Sequence, residues 1–236
     1  GSAVRGTFSE LAGTFGKIVK NKPLWMFMIA FFFYIDAVNT VISMSTSYGA
    51  ELGIDSTQLV VALLVTQFVA FPCAILYGRL AGRFGCKVMI TAAVVAYMCI
   101  VFFAAFFLKS AVEFWILAIL VGMFQGGIQA LSRSMFGKLI PDKDRSGEFF
   151  GFFDIFGKFS SIMGPALVGF VSAFAANKML ADQGLTAATA TAEQIDAINK
   201  AAGPYGILSI ILIIIVGAVL YFGVLPKTMT NDERKI

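Results

Sequence analysis

Six apolar segments, each long enough to cross a bilayer, take up most of the 236 residues. A hydrocarbon core of about 30 Å needs roughly 20 apolar residues in a helix. Backbone donors and acceptors find no water there, so lipid-exposed loops and open sheet edges are ruled out. The expected spans are Leu24 to Gly49, Gln58 to Tyr77, Val88 to Leu108, Phe114 to Ile140, Phe149 to Ala176 and Pro204 to Leu225. Only 14% of residues are charged and the mean hydropathy is +0.85, against about 25% charged in a typical soluble domain. The fold class is therefore an all-α membrane protein with six transmembrane helices.

The remaining sequence is short. Gly1-Ser2 reads as a tag remnant, and residues 3–22 place Phe8, Leu11, Ala12, Phe15, Ile18 and Val19 at helical spacing beside Lys17, Lys20 and Lys22. That pattern fits an amphipathic helix on the membrane surface or a former interdomain linker. Residues 23–230 form the bundle and 231–236 a cytoplasmic tail. Between spans five and six an Ala/Thr-rich stretch reads as a long loop, with a capping-box start at Thr191 and Gln194.

Orientation comes from basic residues. Thirteen Lys and Arg fall on the side of the termini, three on the other, and Arg133 and Lys158 lie within spans. Both termini are expected in the cytoplasm, which places the chain in the cytoplasmic (inner) membrane as a multi-pass protein. The net charge of +4 marks topology; no soluble basic patch interleaves with aromatic residues, so nucleic acid is not an expected partner. Neither a metal nor a cofactor is expected: there is no histidine, and Cys73, Cys86 and Cys99 have no zinc or redox spacing. An intramembrane hydrolase would lack its base, ligands and nucleophile elbow, so the chain does not read as an enzyme.

Polar residues inside the spans carry the functional signal. An Arg, Lys or Asp at a helix centre costs about 2.5 to 3.5 kcal/mol on insertion scales, so such groups face a bundle interior or a wet cavity. Spans three and six have no ionised residue and are expected to face lipid. In span one, Asp36, Thr40, Ser43 and Ser47 share a face with Asn39 beside it, and Asp36 sits roughly 20 Å along the helix, near the midplane. Span four carries Gln125, Gln129, Ser132 and Arg133; span five carries Asp154, Lys158 and Ser161; span two adds Gln67. Asp36, Asn39, Thr40, Gln67, Gln125 and Gln129 form the candidate substrate or proton site. Arg133, Asp154 and Lys158 form a charge network at the cytoplasmic end, either a gate or an ion-pair cluster that fixes packing. The four formal charges of Asp36, Asp154, Arg133 and Lys158 sum to zero, so a mutually neutralising arrangement is expected. Small residues four apart, Gly122 with Gly126 and Ala74 with Gly78, invite close helix approach, and Pro72 and Gly164-Pro165 invite kinks.

The turn after span two reads GRLAGRFGCK, Gly78 to Lys87. It resembles the loop signature of the major facilitator superfamily, Gly-x-Leu-Ala-Asp-Arg-x-Gly-Arg-Lys. Gly78, Leu80, Ala81, Arg83, Gly85 and Lys87 match, with Arg79 at the open position and Gly82 where the family has Asp. FFFYIDAVNTVISMSTSYGAELGI, GGIQALSRS and EFFGFFDIFGKFSSIMGP further resemble the carboxy-terminal six helices of the vacuole-effluxer-like branch. The resemblance implies a secondary transporter in which helices one and four of the half line a central cavity, two and five flank it, and three and six face lipid. It implies as partners a small polar solute, with an amino acid as one class, the lipid bilayer, and a second six-helix half. That half is either a homodimer mate or an amino-terminal half. A non-transporting half or membrane scaffold is the alternative function.

Overall fold

The computed structural model describes residues 13–51, 53–108, 110–186 and 189–225. Phe8, Leu11 and Ala12 of the leader and the tail at 231–236 lie outside these. Helices α1 (Lys22–Glu51), α2 (Ser56–Phe84), α3 (Cys86–Phe107), α4 (Ala111–Leu139), α5 (Ser146–Asp182) and α6 (Ala192–Val219) follow one another. The last continues into a π-helical turn, Leu220–Val224. Among the described residues, six helices are long and apolar enough to cross a membrane. Each runs back against the last, so one end of the bundle carries Lys22, the α2–α3 turn and the α4–α5 hairpin; this is called the basic end below.

Close packing is set by glycine. A Cβ on Gly122 would lie 2.7 Å from the Thr66 carbonyl oxygen, and one on Gly126 would overlap the Ala70 carbonyl. α4 therefore seats its Gly122/Gly126 face on α2, where Thr66 Oγ1 donates both within its own helix, to Ala62, and across to the Ala118 carbonyl at 3.2 Å. The matching stripe on α2 is Ala62, Thr66 and Ala70, not the expected Ala74 and Gly78; Gly78 faces open space. At the basic end an aromatic core joins α1, α4 and α5: Phe31 stacks on Phe153 at 4.2 Å and Phe136 on Phe153 at 4.6 Å. Tyr34 and Tyr221 extend it to the end of α6.

Turn chemistry accounts for the loop signature. Gly85 adopts φ 90°, a conformation open to glycine, and its N–H closes α2 on the Ala81 carbonyl at 2.9 Å before α3 begins. At the opposite end the Asp55 side chain caps α2 through the Thr57 N–H at 2.9 Å. Its hydrogen bonds to Thr57, chiefly, hold that carboxyl below the ordinary carboxylate range.

Three features differ from the sequence reading. First, the long loop is mostly helix. α5 continues to Asp182, α6 starts at Ala192 with Pro204 inside it, and the Thr191/Gln194 capping box is formed. Ala176 and Leu180 pack on Ile198 and Ala202 as a separate small core. Alanine favours helix and allows close approach, which hydropathy alone does not register. Second, residues 13–20 form a helix folded back on the bundle: Thr14 and Ile18 are buried, Lys17 pairs with Asp142 at 3.5 Å, and Thr14 hydrogen-bonds Glu148. Third, α2 and α5 are the most exposed helices. Only 17% and 22% of their most apolar windows are buried, against 44% and 39% for α3 and α6.

A polar groove between α1, α4 and α5

Burial sorts the polar residues of α1 into two sets. Asn39, Ser43 and Ser47 are half-buried or exposed and border an open groove; Asp36 and Thr40 are fully buried and packed against α5 at Gly164. At the basic end the groove widens into a cleft of about 610 Å³ where α1, α4 and α5 meet. Its polar lining is Asn39, Gln129, Arg133, Asp154 and Lys158, on a floor that includes Phe31, Ile35 and Phe153. Asn39 also borders the continuation, about 430 Å³, which passes Ser43, Ser161 and Pro165 to Ser47.

Within the cleft, Arg133 Nη2 meets Asp154 Oδ1 at 2.5 Å. The guanidinium also lies 5.8 Å from the ring centres of both Phe150 and Phe153, so its position is fixed from two sides. With side chains 56% and 47% exposed the pair adds at most about 1 kcal/mol of stability in water-like surroundings. Lys158, one turn beyond Asp154, makes no ion pair among the described residues. Further along, Asn39 Nδ2 donates to Ser161 Oγ at 2.9 Å, tying α1 to α5 across the groove.

Asp36 is placed differently. It is fully buried; Oδ1 accepts the Gly164 N–H at 2.9 Å, while Oδ2 and the Thr40 hydroxyl have no partner among the described residues. A Cβ on Gly164 would overlap Thr40 Oγ1 and come within 3.0 Å of Asp36 Oδ1, so the contact requires glycine at this step. Pro165, next in line, has no N–H to continue the helix ladder. The expected four-charge neutral cluster is therefore not formed: Arg133 and Asp154 pair, whereas Asp36 holds a backbone amide and Lys158 stands in the open cleft.

The remaining candidate residues separate as well. Gln125 is buried, with Oε1 unpartnered, behind the face that presents Gln129. Ser132 is buried and bonded to the Tyr34 hydroxyl at 2.7 Å. Gln67 is exposed on α2, next to Phe68 and apart from the cleft lining. The Asn39–Ser161 and Asp36–Gly164 contacts, both between α1 and α5, are not legible in the sequence; the small residue before Pro165 is the only local signal for the second.

A six-span helical bundle with a charged polar groove bordered by its first, fourth and fifth helices has the makings of a membrane transporter. The model for proteins described as vacuole effluxer Atg22-like matches residues 2–180, and the chain belongs to that family, one of transporters and not of enzymes. An uncharacterized MFS-type transporter of Bacillus subtilis, YxiO, is 53% identical over 165 residues, which is 70% of this chain and 38% of that protein. Autophagy-related protein 22 of Saccharomyces cerevisiae is 33% identical over 162 residues, 64% of this chain and 30% of that protein. The chain thus matches about a third of the length of these relatives. No solved structure matches.

Proposed function

We propose that this chain is one six-helix half of a secondary transporter that moves a small polar solute by alternating access. The observation that carries the reading is the pair of adjoining cavities, sharing Asn39, that lie between the Arg133–Asp154 pair and Ser47. Together they follow α1 from Phe31 to Ser47, a little over half its length. A second half, whether a homodimer mate or an amino-terminal half, would close the groove into a pathway and cover the apolar faces of α2 and α5, where Phe68, Phe71, Phe159 and Phe170 are all more than 60% exposed.

In this reading both termini are cytoplasmic, by the excess of Lys and Arg at that end, and the membrane is the cytoplasmic one. Asn39 and Gln129 contact solute, and Arg133, Asp154 and Lys158 form the cytoplasmic-side gate, re-pairing as the halves rock. Asp36 binds no solute in this state. It controls the α1–α5 contact at Gly164 and is the candidate proton-coupling group, since a buried carboxyl with one free oxygen is sensitive to protonation. An amino acid is the solute class that the mixed charges of the cleft fit. Uptake of labelled amino acids into proteoliposomes, with and without a proton gradient, tests this for the wild type and Asp36→Asn. Gradient-driven uptake lost in Asp36→Asn is expected; a proton response unchanged by the substitution removes Asp36 from coupling.

A further inference from the structure

The groove holds three ionised side chains, Arg133, Asp154 and Lys158, and they do not cancel. Arg133 is committed twice, to Asp154 at 2.5 Å and to the faces of Phe150 and Phe153. Lys158 is exposed in the same cleft with no acid paired to it among the described residues. Asp154 lies one helical turn from Lys158, within reach of it as an i, i+4 neighbour, but a single carboxylate neutralises only one of the two cations. Asp36 does not offset the excess, because it is sealed behind the α1–α5 contact and turned away from the groove.

We propose that Lys158 is the recognition site for an anionic group on the solute, so that this half selects a carboxylate-bearing or otherwise monoanionic molecule over its neutral and cationic analogues. The proposal rests on the reading of the groove as the solute path. The bound anion supplies the charge that Lys158 lacks, and the neighbouring Asn39 amide and Gln129 offer neutral hydrogen bonds to the rest of the molecule. Asp154 then serves as an internal competitor. With Asp154 on Arg133, as in the structure, Lys158 is open to the anion; a swing of Asp154 by one turn to Lys158 would displace the anion and free Arg133 to take it. Whichever of the two cations Asp154 pairs with, the other is left for the anion, at a depth that differs by about one turn, roughly 6 Å. An anion handed from Lys158 to Arg133 would move toward the basic end.

The local potential can be read without knowing the natural solute. An Asn39→Cys variant in a Cys73→Ala, Cys86→Ala, Cys99→Ala background, reconstituted in lipid, is labelled with an anionic sulfonate thiosulfonate and with its cationic trimethylammonium analogue. The ratio of the two rates is expected to favour the anion, to fall at least fivefold on adding Lys158→Gln, and to be retained with Lys158→Arg. Benzoate should slow labelling by a neutral maleimide, its neutral isostere benzamide much less, and Lys158→Gln should remove the difference. Asp154→Asn should raise the anion preference further. A rate ratio that ignores Lys158→Gln, or equal protection by benzoate and benzamide, overturns the proposal while leaving the groove as a solute path. An Asn39→Cys thiol inert to all three reagents overturns both.

Discussion

Two contacts of α5, one with α1 and one with α4, handle charge in opposite ways. At Gly164 an aspartate is buried without a cation, held by one backbone N–H, with its second oxygen and a neighbouring hydroxyl unpaired. About three turns along α5, Arg133 and Asp154 are paired, half exposed, and bordered by a surplus lysine. The first contact stakes much on geometry, since a buried polar group left unsatisfied costs about 1 to 3 kcal/mol. The second is worth little in stability because water screens it. Substitutions at the α1–α5 contact should therefore act on folding, and substitutions in the cleft on function.

The largest effect should come from Gly164→Leu. The added side chain has no room against Thr40 and Asp36, and overpacking of this kind costs about 3 kcal/mol or more. A fall in folded yield and in the detergent melting temperature checks it; an unchanged melt would mean that α1 and α5 do not meet there. Asp36→Leu should come next, destabilising by about 1 to 3 kcal/mol because the Gly164 amide loses its acceptor, whereas Asp36→Asn keeps one and should melt near the wild type. Arg133→Gln should change the melt by about 1 kcal/mol or less while impairing transport severely. Smallest of all, Gln67→Leu should leave the six-helix unit within about 0.5 kcal/mol of the wild type. If its exposed face of α2 meets a second half, that substitution should instead alter assembly, measured as the oligomer distribution in native gels.

The same contrast marks how far the sequence could be read. Span number and the turn at Gly85 follow from hydropathy and local turn chemistry, which are properties of consecutive residues. Membership of the polar groove does not. Asp36 and Asn39 are three residues apart on one helix, and which of them faces the opening depends on where α5 lies, a fact held by Gly164 more than a hundred positions later. Gln125 and Gln129 divide for the same reason, since Gly122 and Gly126 draw one side of α4 onto α2. The α5–α6 hairpin escaped because hydropathy marks membrane depth, whereas Ala176, Leu180, Ile198 and Ala202 pack on one another at the end of the bundle away from the charge cluster.

The central claim is that the groove along α1, and not the Asp36 contact, is the wet path. Single cysteines placed by Asn39→Cys, Gln129→Cys, Lys158→Cys, Thr40→Cys and Gln125→Cys, in vesicles treated with a membrane-impermeant thiol reagent, test it directly. The structure predicts rapid labelling at the first three positions and protection at Thr40 and Gln125; equal labelling at all five, or labelling confined to Thr40 and Gln125, would contradict it.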